Sequence, residues 1–235
     1  MSDLIDTTEM FLKAIYELNE VGAPAMRARL AERLDQAVPT VSQTIARMER
    51  EGLVSLDEDR HVVLTALGAL RATSVLRKHR MAERLLHDVL NLEWAKCHDE
   101  ACRWEHVITD EAELLIARLL PTLAADPYGN PIPGLELLGL ARASKTAAKV
   151  ALSDAVSADE AEFQLASIGE VAQARPQFLR TLADAGIGIG STITVHRTAG
   201  VLTMAGAAAG ARVELDRHLA EQIFVVAGKH RRRAG

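Results

Sequence analysis

Within the nine residues "HDEACRWEH" (98–106), four side chains could bind a metal: His98, Cys102, Glu105 and His106. On a helix turning about 100° per residue, with His98 at zero, Cys102 lies near 40°, Glu105 near −20° and His106 near 80°. All four therefore share one stripe about 100° wide. The preceding segment carries His79 and Glu83 at i and i+4, again on one face. Two antiparallel helices would present these as facing ligand stripes. Six donors are too many for one ion, and two sites fit better. His79, Glu83 and His98 offer nitrogen and oxygen, whereas Cys102, Glu105 and His106 add a softer sulfur. No CxxC pair is present, which argues against a structural zinc site. The plainer alternative is a set of surface salt bridges to Arg80, Arg84 and Arg103. His87 continues the first stripe without an obvious partner and reads as a surface residue.

These side chains need helices to carry them, and the composition allows several. The 235 residues suffice for one large domain or two to three small ones. Hydrophobic residues make up 49% and aromatics only 3%, so the core should be aliphatic. The net charge of −5 gives no bulk attraction to nucleic acid, so any DNA binding would need a local basic patch. Cys97 and Cys102 are the only cysteines, and on a helix they would lie about 140° apart. Free thiols and a reducing compartment are expected. No apolar run approaches membrane-helix length, and MSDLIDTTEM is acidic rather than signal-like, so the protein is expected to be soluble and cytoplasmic.

Leu4, Phe11, Ile15 and Leu18 predict a first helix from about Asp3 to Glu20, ended by Gly22 and Pro24. A short helix, Met26 to Leu34, follows. A third, from about Pro39 to Glu51, has two faces. Val41, Ile45 and Met48 lie on one; Pro39, Thr40, Gln43, Arg47 and Arg50 lie on the other, with Ser42 at the edge. "LVSL" and "HVVLT" around "DEDR" read as a β-hairpin. Three helices and a hairpin make a winged helix-turn-helix whose second motif helix would enter the major groove. Arg27 and Arg29 on the preceding helix, and Arg60 in the wing, could reach phosphates beside it. An ordinary bundle with a solvated helix face would show much of the same pattern.

Further helices are predicted from about Ala66 to Leu90, from Ala95 to Val107, and from an N-capping Asp110 to about Ala124. This small helical unit should bury part of its apolar face against a second copy. "DPYGNPIPG" ends it and "ARASKTAAK" reads as a linker. Beyond Val150, "EFQLASI", "STITVHR", "VLTMAG" and "RVELD" predict short strands with one helix near Gln177 to Ala185, a small SH3-like β domain. "AGIGIG" follows a helix and opens none, so it is a turn and not a dinucleotide fingerprint. "KHRRRAG" reads as a disordered basic tail.

"DTTEMFLKAIYEL", "RARLAERL", "PTVSQTIARMEREGLV", "RKHRMAERLL", "HDEACRWEHV" and "YGNPIPGL" closely resemble the diphtheria toxin repressor family of iron-dependent transcriptional regulators. The resemblance covers residues 1 to about 140 and weakens beyond 150. It implies a mainly α fold with α+β parts: a winged helix-turn-helix DNA-binding domain (1–73), a helical dimerisation and metal-binding domain (74–140), a linker (141–150), an SH3-like β-barrel domain (151–228) and a basic tail (229–235). Position by position, it implies a regulatory metal site of Met10, Cys102, Glu105 and His106. It implies an ancillary metal site of His79, Glu83, His98, Glu170 and Gln173. On pattern alone Met10 would pass as core, and Glu170 and Gln173 as surface. The DNA-contacting positions implied are Arg27, Ala28, Pro39, Thr40, Ser42, Gln43, Arg47 and Arg50, with Gln43 as the base reader.

Two departures stand out. Ala37-Val38 replaces a usual Ser-Gly pair, with loss of a phosphate hydrogen bond expected. Asp126 replaces a small hydroxyl residue beside an anion pocket that would use Arg80 and Asn130, where a carboxylate would repel an anion or replace it as a partner of Arg80.

The resemblance therefore implies a non-enzymatic, metal-activated repressor of iron-homeostasis genes. It would use two Fe²⁺ ions per chain, with Mn²⁺, Co²⁺, Ni²⁺ or Zn²⁺ able to substitute in vitro. It would bind palindromic double-stranded operators as a homodimer, with two dimers per operator conceivable, and would need no membrane and no organic cofactor. A Mn²⁺-responsive regulator is the rival within the family, and Cys102 speaks against it. A metallohydrolase would leave the helix-turn-helix unexplained and would need an acid or base beyond the ligands. A metal-storage or structural helical protein would make the DNA-facing pattern accidental.

Overall fold

The computed structural model describes residues 6–141, 148–156, 160–198, 200–207 and 211–226. Most of the expected linker and the whole basic tail lie outside these residues. The described chain forms two compact units. The first comprises residues 1–82, 101–119 and 132–142; the second comprises 83–100, 120–131 and 143–235. Two helices, α4 and α5, run from one unit into the other.

The first unit opens with α1 (Thr7–Glu20). It starts at Thr7 and not at Asp3 because Asp6 is the N-cap, its carboxylate accepting from the backbone of Thr8 at 2.8 Å and Glu9 at 3.4 Å. Then come α2 (Arg27–Arg33) and α3 (Val38–Arg50), the latter with Pro39 in its first turn. Val41, Ile45 and Met48 of α3 are buried, as their spacing predicts. They join Phe11, Leu12 and Ile15 of α1 and Leu30 of α2 in one aliphatic core. The wing is β1 (Val54–Leu56) paired antiparallel with β2 (Val62–Leu64), Val54 opposite Leu64. Its turn is tied by Asp57, which accepts from the backbone N–H of His61 at 2.7 Å.

The long helix α4 (Ala66–Arg84) begins against this wing. A Cβ on Gly68 would sit 1.9 Å from the carbonyl oxygen of Leu53, so only glycine lets helix and wing approach this closely. α4 passes into a π-helical turn, Leu85–Val89. α5 (Trp94–Trp104) stops short of the expected Val107, because the Val107 N–H turns to Trp104 O at 3.0 Å. It carries His98 and Cys102, Glu105 and His106 lie in the turn after it, and α6 (Asp110–Leu119) follows. Two expectations about α6 are corrected. Its start is capped by Thr109, whose hydroxyl accepts from Ala112 N–H at 3.2 Å, while Asp110 is its first helical residue. It stops at Leu119 and not near Ala124, because Pro121 disfavours helical geometry in the residue before it. A 3₁₀ turn at Leu135–Leu138 ends the first unit's helical part.

The second unit contains a six-stranded antiparallel sheet. Along the chain run β3 (Lys149–Ala151), α7 (Leu152–Ala155), β4 (Glu160–Ile168), α8 (Glu170–Gln173), α9 (Pro176–Asp184), β5 (Thr192–Thr198), β6 (Val201–Ala205), β7 (Arg212–Leu215), α10 (Arg217–Ala220) and β8 (Ile223–Val226). The strand order is β3-β8-β4-β5-β6-β7. Strict alternation buries Phe163 and Leu165 of β4, Ile193 and Val195 of β5 and Met204 of β6. Leu179 and Leu182 of α9 are buried as well. The predicted mostly β, SH3-like domain is present, and residues 185–190 form the turn between α9 and β5.

Candidate metal centre and DNA-facing helix

In the first unit, α1, α4 and the turn that ends α5 bring one carboxylate to the middle of a polar cluster. Glu105 is 4% exposed. Its Oε2 accepts from Lys13 Nζ at 2.8 Å and lies 2.6 Å from His79 Nδ1. Its Oε1 lies 3.3 Å from His106 Nε2. Lys13 Nζ is also 3.0 Å from His79 Nδ1 and 4.0 Å from Cys102 Sγ. Burial pushes the Glu105 carboxyl up, but Lys13 and His79 outweigh it and hold the group down at about 2. His106 Nδ1 donates to Glu9 Oε2 at 2.6 Å, and this bond raises the imidazole above its ordinary range against the effect of burial. Met10, half-buried, follows Glu9 on the same helix. A cavity of about 260 Å³ opens beside the cluster, lined by Thr8, Glu9, Ser74, Lys78, Glu105 and His106.

The expected carboxylate and imidazole thus meet, and Lys13 Nζ lies between Glu105 and the Cys102 sulfur. Sequence reasoning missed two members, Glu9 and Lys13. Their spacing, four residues apart on one face of α1, places them together but does not announce a partner elsewhere in the chain. His79, expected among the ancillary donors, touches Glu105 directly. The remainder of α1 is anchored by ion pairs. Glu17 pairs with Arg33 of α2, and Glu20 accepts from Arg80 of α4 at 2.6 and 3.0 Å. The surface-bridge alternative for Arg80 and Arg84 is realised with other carboxylates: Arg80 with Glu20, Arg84 with Asp88.

In the second unit, His98 Nδ1 lies 3.0 Å from Glu83 Oε1 and 3.9 Å from Glu170 Oε2. All three side chains are buried. Gln173, one turn along α8 from Glu170, is fully buried; its Nε2 donates to Ile168 O at 2.7 Å, and its Oε1 has no hydrogen-bond partner. So Glu170 and Gln173 are interior residues, contrary to their surface-like pattern. A buried amide oxygen without a donor is what a cation ligand requires. The chemistry of both donor sets fits a divalent transition metal.

The segment 126–130 positions α8. Asn130 Nδ2 donates to Ile168 O at 2.9 Å, and Ile168 N–H donates to Tyr128 O at 2.9 Å. Tyr128 Oη accepts from His98 N–H at 3.2 Å, donates to Trp94 O at 2.7 Å, and its ring stacks on Trp94. Gly129 has φ +83, and a Cβ there would meet Ala166 O at 2.2 Å. Asp126 accepts from Tyr128 N–H, Asn130 N–H and Asn130 Nδ2 at 2.7, 2.9 and 3.0 Å. Its carboxylate therefore shapes this turn.

On the DNA-facing side, Pro39, Thr40, Gln43, Arg47 and Arg50 are exposed on α3, and Ala28 is exposed on α2. Ser42 and Arg27 are half-buried, and the Ser42 hydroxyl donates to Val38 O at 2.9 Å. Ala37 has the extended geometry of an N-cap but makes no side-chain capping bond, so the departure at 37 leaves α3 uncapped. Arg47 donates to Thr8 Oγ1 of α1 at 3.3 Å.

Three domain descriptions match the chain in succession: the iron dependent repressor N-terminal DNA binding domain over residues 3–62, the iron dependent repressor metal binding and dimerisation domain over 65–134, and the diphtheria toxin repressor SH3 domain over 148–226. The diphtheria toxin repressor of Corynebacterium diphtheriae is 45% identical over 225 residues, covering 96% of this chain and 99% of the relative. The chain belongs to the diphtheria toxin repressor family. Within this family, the iron-dependent repressor IdeR of Mycobacterium tuberculosis is 44% identical over 202 residues, 85% of this chain and 88% of the relative. A solved manganese-dependent transcriptional repressor in complex with manganese superposes with a TM-score of 0.73 at 30% identity, covering 94% of this chain and 99% of the other. A member of the diphtheria toxin repressor family is a DNA-binding transcriptional repressor and not an enzyme, which removes the metallohydrolase and storage alternatives. Among the described residues no helix is long and apolar enough to cross a membrane.

Proposed function

We propose that this chain is a homodimeric repressor activated by Fe²⁺ and acting on palindromic operators upstream of iron-uptake genes in the cytoplasm. The observation that carries this reading is the convergence on Glu105 of Lys13 from α1, His79 from α4 and His106 from the turn after α5. The regulatory site would be held by Met10, Cys102, Glu105 and His106, and the ancillary site by His79, Glu83, His98, Glu170 and Gln173. A divalent ion held by Met10, Cys102, Glu105 and His106 would supply a positive centre for thioether, thiolate, carboxylate and imidazole donors. The chain's own residues do the rest. Glu9 accepts the Nδ1–H of His106 and leaves Nε2 facing Glu105, a carboxylate–imidazole arrangement that orients a ligand. Glu9 and Met10 lie on α1, whose Thr8 holds Arg47 of the DNA-facing helix. A change in the first turn of α1 is thereby felt at the groove-facing side of α3. Arg27, Ala28, Pro39, Thr40, Ser42, Gln43, Arg47 and Arg50 would meet the operator, Gln43 reading a base and the arginines phosphates.

The thiolate and thioether favour Fe²⁺ over Mn²⁺. The manganese-dependent repressor among the solved relatives keeps a Mn²⁺ regulator as the second reading. Leu114, Leu115 and Leu119 are exposed on α6, and this apolar strip supports burial against a second copy. An anion beside Arg80 and Asn130 would compete with Glu20 for the Arg80 guanidinium. The test is operator binding by mobility shift with and without Fe²⁺ and Mn²⁺. Fe²⁺ should be required, and Cys102→Ala should abolish the requirement's effect by weakening retention at least about 100-fold. Unchanged metal-dependent retention by Cys102→Ala would sink the mechanism.

A further inference from the structure

We propose that Lys13 is a tethered internal cation that competes with the regulatory metal for Glu105 and so sets the metal concentration at which the site loads. The inference rests on the regulatory-site reading above, and goes beyond it by assigning a role to a residue outside the ligand set. Lys13 is buried, unusual for a lysine, and its ammonium sits among the expected ligands and not at their edge. It is 2.8 Å from Glu105 Oε2, 4.0 Å from Cys102 Sγ and 3.0 Å from His79 Nδ1. An ammonium at these distances occupies the space between Cys102 Sγ and Glu105 Oε2, two of the groups that would hold the metal. Two positive charges cannot share one carboxylate oxygen at contact distance without large repulsion in so buried a place.

Lys13 is also one turn from Met10 on α1, so the two residues share that helix's polar edge. α1 therefore has two alternative ways of satisfying Glu105. In one, Lys13 pairs with it directly; in the other, Met10 and Glu105 would be among the residues holding the metal and Lys13 would swing out. Exchange of one cation for another keeps the cluster neutralised in both arrangements. It also ties metal loading to a displacement of α1, because the departing side chain and the arriving ligand belong to the same helix.

The experiment uses the full chain stripped of metal and Co²⁺ as the probe. Affinity is measured by competition with a chromophoric chelator, and site identity by the thiolate-to-cobalt absorption that Cys102→Ser should abolish. Lys13→Met and Lys13→Gln remove the charge and keep much of the stem. Both should tighten Co²⁺ binding at the Cys102-dependent site about tenfold or more, the range expected on removing a charge-assisted competitor. Lys13→Arg should remain within about threefold of the parent, since it keeps the competing charge. The neutral variants should at the same time unfold at lower temperature than the parent when stripped of metal. Opposite signs in the two measurements separate competition from mere loss of packing, which would weaken both. Unchanged or weaker Co²⁺ binding by folded Lys13→Met or Lys13→Gln overturns the inference while leaving the metal site intact. Absence of Cys102-dependent cobalt absorption in the parent protein would overturn the regulatory-site reading itself.

Discussion

At Glu105, a carboxylate in the turn after α5 is met by an ammonium from α1 and an imidazole from α4. Around His98, an imidazole meets the carboxylates of Glu83 and Glu170, with the amide of Gln173 nearby on α8. Both clusters are buried and both use the residue types of a metal site. In the first, an ammonium of the chain touches the carboxylate; in the second, an imidazole, whose charge depends on a proton, lies beside two carboxylates. A cluster with its own cation can be stable before metal arrives and respond by exchange. A cluster rich in acceptors gains most when a cation is added. The same ligand chemistry can thus serve as a switch in one place and as a clasp in the other.

The largest expected effect tests the first half of that contrast. Glu105→Gln leaves Lys13 buried without its carboxylate and should cost about 3–5 kcal/mol of stability in protein stripped of metal, read from denaturant unfolding. Glu170→Gln, at the longer 3.9 Å contact, should cost only about 1 kcal/mol under the same conditions. Equal losses at the two positions would erase the distinction. The next effect concerns metal-induced stabilisation. Glu170→Gln should lose much of the rise in melting temperature that saturating Co²⁺ gives the parent, with the cobalt–thiolate absorption retained.

The two cysteines report on the same two regions. Cys97 is fully buried in the second unit, and burial, aided by Glu83, pushes its thiol up to about 12. At pH 8 only about one molecule in 10⁴ would carry that thiolate. Cys102, in the first unit, is half-buried. Ellman's reagent at pH 8 should therefore modify a single thiol in folded protein, absent in Cys102→Ser, and Cys97 only after unfolding. Fast modification of Cys97 would contradict its burial. The smallest effect is a control on stability away from both clusters. Ala37→Ser supplies the missing N-cap of α3 and should add about 0.5–1 kcal/mol, with Co²⁺ affinity unchanged.

The helix-turn-helix was legible because its signals are local: helical spacing buried Val41, Ile45 and Met48 as expected, and alternation marked the wing. His98 and Cys102 on α5, a helix that ends before Glu105 and His106, were legible for the same reason. Lys13 was not, since nothing within its own helix announces a carboxylate 92 positions downstream. His79 showed its face by pattern but not that Glu105 would be its neighbour. Glu170 and Gln173 came from the family resemblance; their pattern suggests solvent, and only the link from Asn130 and Tyr128 to Ile168 turns α8 inward. The end of α6 was a local signal overlooked: Pro121 was in plain view.

The ion pairs of Glu17 and Glu20 have a mechanical consequence. They pin α1 near its C-terminus and make of it a lever with its fulcrum there and its working end at Thr8 to Lys13. From Glu17 to Met10 the arm is about 10 Å, at 1.5 Å rise per residue. A sideways pull of about 1 Å at Met10 then becomes a tilt of about 5°. That tilt is delivered to α3 through Thr8 and Arg47, so the leverage lies in the fold before any ligand moves.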